Sequence, residues 1–320
     1  MVQSALENET SFTEATTQDY IALLKFRVMR LAVFTAGVAL VIAPSSINPV
    51  VAIGSLICIG IGAGAAGALN MWWDSDIDSI MTRTSNRPIP AGKITCNQAL
   101  SFGLFLTFFS VMFLGLFANH LSAALLAGTI AFYILIYTMF LKRRTSQNIV
   151  IGGAAGALPP VIGWAVSTNS IGFESVLMFL LIFLWTPPHF WSLCLMTKSD
   201  YSKSKIPMLT ETHGEAETKR QIIVYSFLLL VPSILISFTS VGGAFYLIST
   251  FILNAVFLYL AIGLGGFGRL DKPLRKKRER QLFLYSIFYL FAHFSILMAE
   301  FLVKFFSPFY SEFSRVLVWF

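Results

Sequence analysis

Apolar residues along this chain are gathered into runs that short polar segments separate. Most runs have about 17 to 25 residues, the length with which an α-helix crosses a hydrocarbon core about 30 Å thick. The pattern therefore predicts an all-α fold, a polytopic membrane bundle of nine transmembrane helices. The nine runs lie at about 28–44, 50–72, 99–118, 121–141, 149–167, 172–197, 221–240, 243–265 and 282–306.

Composition agrees with a lipid environment. Of the 320 residues, 56% are hydrophobic and 12% are charged, whereas soluble domains have about 25% charged residues. The three cysteines, Cys58, Cys96 and Cys194, have neither disulfide-like nor metal-ligand spacing.

The distribution of positive charge predicts how the bundle is oriented. If the amino terminus is inside, the inside segments hold 21 of the 23 Lys and Arg residues. Cytoplasmic loops carry such an excess of basic residues, so we expect the amino terminus in the cytoplasm and the carboxyl terminus outside. The net charge of +7 then reflects membrane orientation and contact with anionic lipid, and it does not indicate nucleic-acid binding.

The chain ends predict short tails. Residues 1–20 are polar and acidic, without a basic segment ahead of an apolar one. They are therefore expected to be a disordered cytosolic tail and not a cleaved signal peptide. The transmembrane domain is expected over 21–308, followed by a C-terminal tail at 309–320.

Acidic residues cluster where the second run reaches the inside. Asn70, Asp74 and Asp78 are spaced i, i+4, i+8, so a helix would place them on one face and Asp76 on another. Carboxylates that face one way repel each other unless a cation lies between them. Mg²⁺ is typically held by one or two carboxylates and by phosphate oxygens of a substrate.

Two arginines follow this cluster at a spacing of four, Arg83 and Arg87. Guanidinium groups bind phosphate oxygens well, so acids and arginines together favour a metal-bridged polyphosphate site. The alternative is a solvated loop in which the acids pair with these arginines.

Other candidates lie at the same predicted membrane face. Asp200 and Lys203 follow the sixth run, and Tyr137 and Lys142 end the fourth. Asp200 alone could equally be a surface residue, and Lys142 could serve only membrane orientation.

His189 lies within the sixth run, next to Pro187 and Pro188. A polar residue at membrane depth is a functional candidate, but a structural hydrogen bond near the prolines explains it equally well.

These residues resemble the UbiA superfamily of intramembrane prenyltransferases. The first likeness is the stretch Asn70 to Pro88, which holds the acidic cluster and both arginines. Further segments are similar to the haem-directed branch of that superfamily: Tyr137 to Arg143, Asn148 to Gly153, Ala157 to Pro160, Trp185 to Trp191, and Asp200 to Met208. The likeness covers roughly residues 20 to 300.

The resemblance implies a nine-helix bundle with a central cavity in which Mg²⁺ bridges two acidic motifs. Asp74, Asp78 and Asp200 would be catalytic, and with Asn70 they would hold the metal. The substrate-binding residues would be Asn70, Arg83, Arg87, Tyr137, Lys142, Lys203 and His189. One departure is Ser204, since many members have a second acid there, and this favours the haem-directed branch.

The resemblance further implies transfer of the farnesyl group of farnesyl diphosphate to a vinyl group of haem B, which gives haem O. The site would face the cytoplasm from the cell inner membrane. A nearer alternative is an aromatic quinone precursor as acceptor. A more distant alternative is an ion-coupled transporter. The location of the acids at one membrane face argues against it. The sequence leaves the protein partners unknown.

Overall fold

A computed structural model describes residues 15–204, 206–265 and 271–306. All regular secondary structure within these ranges is helical. The helices are α1 (Thr17–Leu23), α2 (Phe26–Ile42), α3 (Pro49–Trp73), α4 (Ser75–Ile80), α5 (Cys96–Phe117), α6 (His120–Ala131), a π-helix (Phe132–Leu141), α7 (Asn148–Ala157), α8 (Pro159–Thr168), α9 (Phe173–Met196), α10 (Lys198–Lys203), α11 (Leu209–Thr212), α12 (Gly214–Leu228), α13 (Leu230–Leu235), a 3₁₀ helix (Ile236–Phe238), α14 (Ala244–Gly265) and α15 (Lys272–Phe306).

Eight helical segments in these ranges are long and apolar enough to cross a membrane. They coincide with the last eight of the nine predicted runs. The first run forms α2, whose apolar part, Met29–Ile42, is shorter than the others. The predicted all-α, multi-pass membrane fold is thus confirmed, while the count of nine spans and the orientation of the termini stay predictions.

Helix α1 lies partly inside the segment predicted to be a tail. Thr16 and Asp19 form a capping box at its start, and Lys93 pairs with Asp19 at 3.1 Å. Leu23, near its end, is fully buried. Residues 17–20 therefore belong to a helix that is docked on the bundle, whereas 1–14 and the predicted tail at 309–320 lie outside the described ranges.

Polar pairs buried in the bundle join the last two long helices. Tyr289 of α15 donates to Asn254 of α14 at 2.7 Å, and the Tyr246 hydroxyl is 2.8 Å from His293 Nδ1. Glu300 accepts from the Tyr246 backbone N–H at 2.8 Å, in the first turn of α14. A carboxylate at a helix N-terminus is favourable, so Glu300 fixes how the start of α14 meets α15.

Close packing of α2 against α8 depends on one glycine. A Cβ atom added at Gly163 would lie 2.0 Å from the backbone oxygen of Ala36. No side-chain rotation can relieve a clash with backbone, so α8 can approach α2 this closely only without a side chain at 163.

We therefore expect Gly163→Ala to destabilise the bundle, with Gly128→Ala as the matched control. Overpacking typically costs about 1–3 kcal/mol, and nothing lies within 4 Å of a Cβ added at Gly128. Thermal unfolding in detergent should show a lower Tm for Gly163→Ala and an unchanged or higher Tm for Gly128→Ala. Equal Tm values would contradict this account of the contact between α2 and α8.

Candidate active site at the end of helix α3

The acidic cluster lies at the junction of α3 and α4. Asp74 separates the two helices, yet hydrogen bonds from Asp74 N to Asn70 O and from Asp78 N to Asp74 O carry the i to i−4 pattern across the break. Asn70, Asp74 and Asp78 are consequently buried together. Asp76 faces away, and its side chain is exposed.

Asn70 is the hub of the cluster. Its Nδ2 donates to Asp74 Oδ2 at 2.8 Å and to Thr138 Oγ1 at 3.0 Å. Lys25 donates to Asn70 Oδ1. A lysine can only donate and a carboxylate can only accept, so these partners fix which way the amide points. The amide group of Asn70 therefore orients Asp74.

Each buried carboxylate has a cation beside it. Lys142 Nζ is 2.5 Å from Asp74 Oδ2, and Arg87 Nη1 is 2.6 Å from Asp78 Oδ2. The other oxygen of Asp74, Oδ1, is buried without a hydrogen-bond partner. Two buried carboxylates, one with an unused oxygen, are a donor set that fits a hard divalent cation.

Lys25 lies at the junction of α1 and α2 with a left-handed backbone (φ 51°). Burial, together with the positive charges of Arg87 and Lys142, lowers the pKa of Lys25 to about 7. Lys25, Arg87 and Lys142 thus surround the two buried carboxylates. A bound anion would favour the protonated form of Lys25. The cluster therefore suits a polyanionic ligand.

The π-helix supplies the site from the opposite side. Its i to i+5 pattern includes a bond from Lys142 N to Tyr137 O at 2.9 Å, and π-helices occur frequently at functional sites. The Tyr137 ring packs directly over Gly152, where a Cβ atom would lie 2.1 Å from it. The absence of a side chain at Gly152 therefore makes room for the Tyr137 ring.

The exposed acid Asp76 is bound by Arg143, the residue after Lys142. Arg143 Nη1 and Nη2 donate to the two oxygens of Asp76 at 2.8 and 2.7 Å. This guanidinium holds the pKa of Asp76 below its ordinary value. Arg143 Nη2 also donates to the backbone oxygen of Trp73 at 3.3 Å.

The second acidic segment lies against the first. Asp200 belongs to α10, but its side chain lies outside the described part of the chain. The neighbouring Tyr201 is buried in one apolar cluster with Ile77 and Met81 of the first segment. Tyr201 therefore anchors α10 in the same buried cluster that holds the end of the first acidic segment.

The remaining predicted residues are Arg83, Lys203 and His189. Arg83 is exposed and interacts with the Tyr201 hydroxyl. Lys203 is exposed in the last turn of α10. His189 Nδ1 is 2.7 Å from Ser286 Oγ, and its ring stacks between Trp185 and Phe283. These contacts locate His189 between α9 and α15.

An apolar cavity adjoins the cluster. Lys25 and Tyr133 line one end of it, and Ile59, Leu126 and Ile162 line the other. Along α3 the lining extends from Gly67 to Ile59, about 12 Å at the rise of an α-helix. Small residues of α3 and α7 line the middle of the cavity: Gly62, Ala63, Ala66, Ala155 and Gly156.

The sequence had not singled out Lys25, Thr138, Arg143 or Tyr133 as site residues. Lys25 and Arg143 were counted only as charges that orient the chain, and Tyr133 and Thr138 lie inside an apolar run. The one available signal was position, because Lys25 lies three residues before the first apolar run and Arg143 immediately follows Lys142.

Comparison with known proteins finds the family model "UbiA prenyltransferase family" matching residues 31–296. A curated protoheme IX farnesyltransferase from Roseobacter denitrificans is 53% identical over 90% of this chain and 92% of its own length. Another from Parvibaculum lavamentivorans is 50% identical over 94% of this chain and 96% of its own.

Solved structures share the fold. A structure described as digeranylgeranylglyceryl phosphate synthase has a TM-score of 0.72 at 18% identity, covering 89% of this chain and 98% of that one. A UbiA homologue from Archaeoglobus fulgidus, bound to DMAPP and Mg²⁺, has a TM-score of 0.60 at 12% identity, covering 87% and 99%. On the family match and the identity of about half of all residues to these relatives, the chain belongs to the UbiA prenyltransferase family.

Proposed function

We propose that this protein transfers the farnesyl group of farnesyl diphosphate to a vinyl group of haem B, producing haem O. The observation that carries the proposal is the buried cluster of Asn70, Asp74 and Asp78 beside an apolar cavity. Lys25 joins the two, because it donates to Asn70 and also lines the cavity. Such an arrangement suits a ligand with a polyanionic head and a long apolar tail. The choice of haem as acceptor is supported by the names of the relatives.

Charged side chains would bind the diphosphate end of farnesyl diphosphate. Lys25, Arg87 and Lys142 can donate to phosphate oxygens, and each is already held beside the cluster. Asp74 and Asp78, with Asp200 from α10, would hold Mg²⁺, which when bound helps to neutralise the departing diphosphate. Arg83, Tyr137 and Lys203 stay predicted phosphate contacts.

The apolar end would hold the prenyl chain and exclude water. When the bond between C1 and oxygen of the allylic diphosphate breaks, the diphosphate departs with the electron pair and the farnesyl group carries positive charge. The face of Tyr133, at the charged end of the cavity, can stabilise that charge by a cation–π interaction. The vinyl carbon of haem then bonds to C1, and water adds to the resulting cation with loss of a proton.

Localisation follows from the same proposal. The protein would lie in the cell inner membrane with Asp74 toward the cytoplasm, which the distribution of its Lys and Arg residues supports. His189 stays a predicted haem contact.

We expect Asp74→Asn to lower haem O formation by at least about 100-fold, since an electrostatic group of this kind is typically worth 10²–10³ in rate. Purified protein would be given farnesyl diphosphate, haem B and Mg²⁺, and haem O and released diphosphate would be measured. Glu217→Gln is the control, because it also removes one negative charge but lies in a partly exposed pair with Arg220.

Near-normal haem O formation by Asp74→Asn would overturn the assignment of the site. Replacing haem B by aromatic quinone precursors tests the acceptor. Diphosphate release with those and not with haem B would overturn the choice of haem, and no release with any acceptor would favour transport.

Substitution of Asn70 separates two roles for its amide. If the N–H groups of Asn70 orient Asp74, Asn70→Asp will repel that carboxylate and lower turnover at least as much as Asn70→Ala. If Asn70 is instead mainly a metal ligand, the carboxylate will serve as well or better. Turnover measured across a range of Mg²⁺ concentrations distinguishes the two, and we expect the first result.

The length of the cavity predicts donor selectivity. Ala63 lies midway along the lining, so Ala63→Phe should shorten the space for the prenyl chain. We expect kcat/KM for farnesyl diphosphate to fall about tenfold or more relative to geranyl diphosphate, since a methylene in an apolar pocket is worth about 10–200-fold. Ala124→Phe, on the exposed side of α6, is the control and should leave the ratio unchanged; a shift of equal size in both variants would contradict the prediction.

A further inference from the structure

We propose that Asp76 and Arg143 are a positioning pair that orients the Asp74 carboxylate and sets Lys142 beside it. The inference rests on the proposed function, because it assigns a role at the same site. Neither residue would touch the reacting atoms.

The contacts of Arg143 span the break between α3 and α4. Its guanidinium binds the backbone oxygen of Trp73, before the break, and both carboxylate oxygens of Asp76, after it. Asp74 lies between these two anchor points, and Arg143 Nη2 is 3.8 Å from Asp74 Oδ1. Because Asp74 is not part of either regular helix, an external clamp across the break fixes its direction.

The exposure of the pair indicates that it serves to orient its partners and not to stabilise the fold. The Asp76 side chain is 61% exposed and that of Arg143 is 36% exposed. Ion pairs this accessible contribute little to folding stability. A two-point contact between guanidinium and carboxylate does, however, fix the relative orientation of its partners, and here the partners are the start of α4 and the end of the π-helix.

The end of the π-helix and the two residues after it reach three residues around the junction of α3 and α4. Thr138 contacts Asn70, Lys142 contacts Asp74, and Arg143 contacts Asp76. Lys142 directly follows the π-helix, and its N–H makes an i to i+5 bond to the backbone oxygen of Tyr137. This short stretch of chain therefore binds the buried acidic face through Thr138 and Lys142 and the exposed Asp76 through Arg143.

The placement of Lys142 follows from the same contact. Lys142 immediately precedes Arg143 and bonds to Asp74 from the position directly after the π-helix. When Arg143 is held on Asp76, the backbone of Lys142 is held opposite Asp74. The pair thus keeps a phosphate-binding cation and a metal-binding carboxylate in register, although it belongs to neither group.

The test uses Asp76→Asn, Arg143→Gln, the double variant and the exchanged pair Asp76→Arg with Arg143→Asp. For a positioning pair, both single variants should raise the Mg²⁺ concentration needed for half-maximal turnover about tenfold. The KM for farnesyl diphosphate at saturating Mg²⁺ should change by less than about threefold. The double variant should be no worse than the worse single variant, and the exchanged pair should recover part of the loss.

Two results would overturn the proposal. If Arg143 instead binds the diphosphate directly, Arg143→Gln alone will raise the KM, and Asp76→Asn will behave like the intact protein. If the pair is merely structural, Tm in detergent will fall in both single variants, and turnover of the folded fraction will keep its Mg²⁺ dependence. Arg220→Gln, in the partly exposed pair with Glu217, is the control and should alter none of these quantities.

A measurement without prenyl transfer separates this inference from the proposed function. Calorimetry with inorganic diphosphate at a subsaturating Mg²⁺ concentration should show binding that weakens about tenfold in both single variants and partly recovers in the exchanged pair. If this binding pattern is found but the intact protein forms no haem O, the proposed function is rejected and the positioning role of the pair is retained. Haem O formation with unaltered binding in Asp76→Asn would reject the pair alone.

Discussion

An ionised carboxylate is tolerated in a buried setting only when cations and hydrogen-bond donors surround it. Asp74 has no exposed surface, and the elements around it meet that requirement. Asn70 comes from α3, Lys142 from the end of the π-helix, and Lys25 binds the same amide from the junction of α1 and α2. Compensation of one buried charge therefore determines where three separate parts of the chain converge.

The same convergence produces the cavity. The helices that bring polar groups to Asp74 continue into the bundle with small residues, so that they approach closely near the charges and leave apolar space beyond them. Charge and apolar volume are thus adjoining parts of one arrangement, and their junction at Lys25 and Tyr133 is where a diphosphate would meet its prenyl chain.

Local periodicity explains how much the sequence could predict. The spans followed from run length, and the burial of Asn70, Asp74 and Asp78 opposite an exposed Asp76 followed from helical spacing. Contacts between distant segments did not follow. Lys25 is 45 residues from Asn70 along the chain, and a basic residue before a first span has an adequate explanation in membrane orientation. The cavity likewise depends on how α2, α3, α6, α7, α8 and the π-helix pack, which no single segment encodes.

The π-helix that holds Thr138 and precedes Arg143 departs from the 3.6-residue period on which helical reasoning depends. That departure has a consequence for engineering. Removing one residue from 132–141 would allow the commoner i to i+4 bonding and could yield a more regular, more stable helix. It would also turn Lys142 and Arg143 about the helix axis, away from Asp74 and Asp76. Attempts to thermostabilise this protein should therefore leave the length of this segment unaltered, because there regularity and catalysis are opposed.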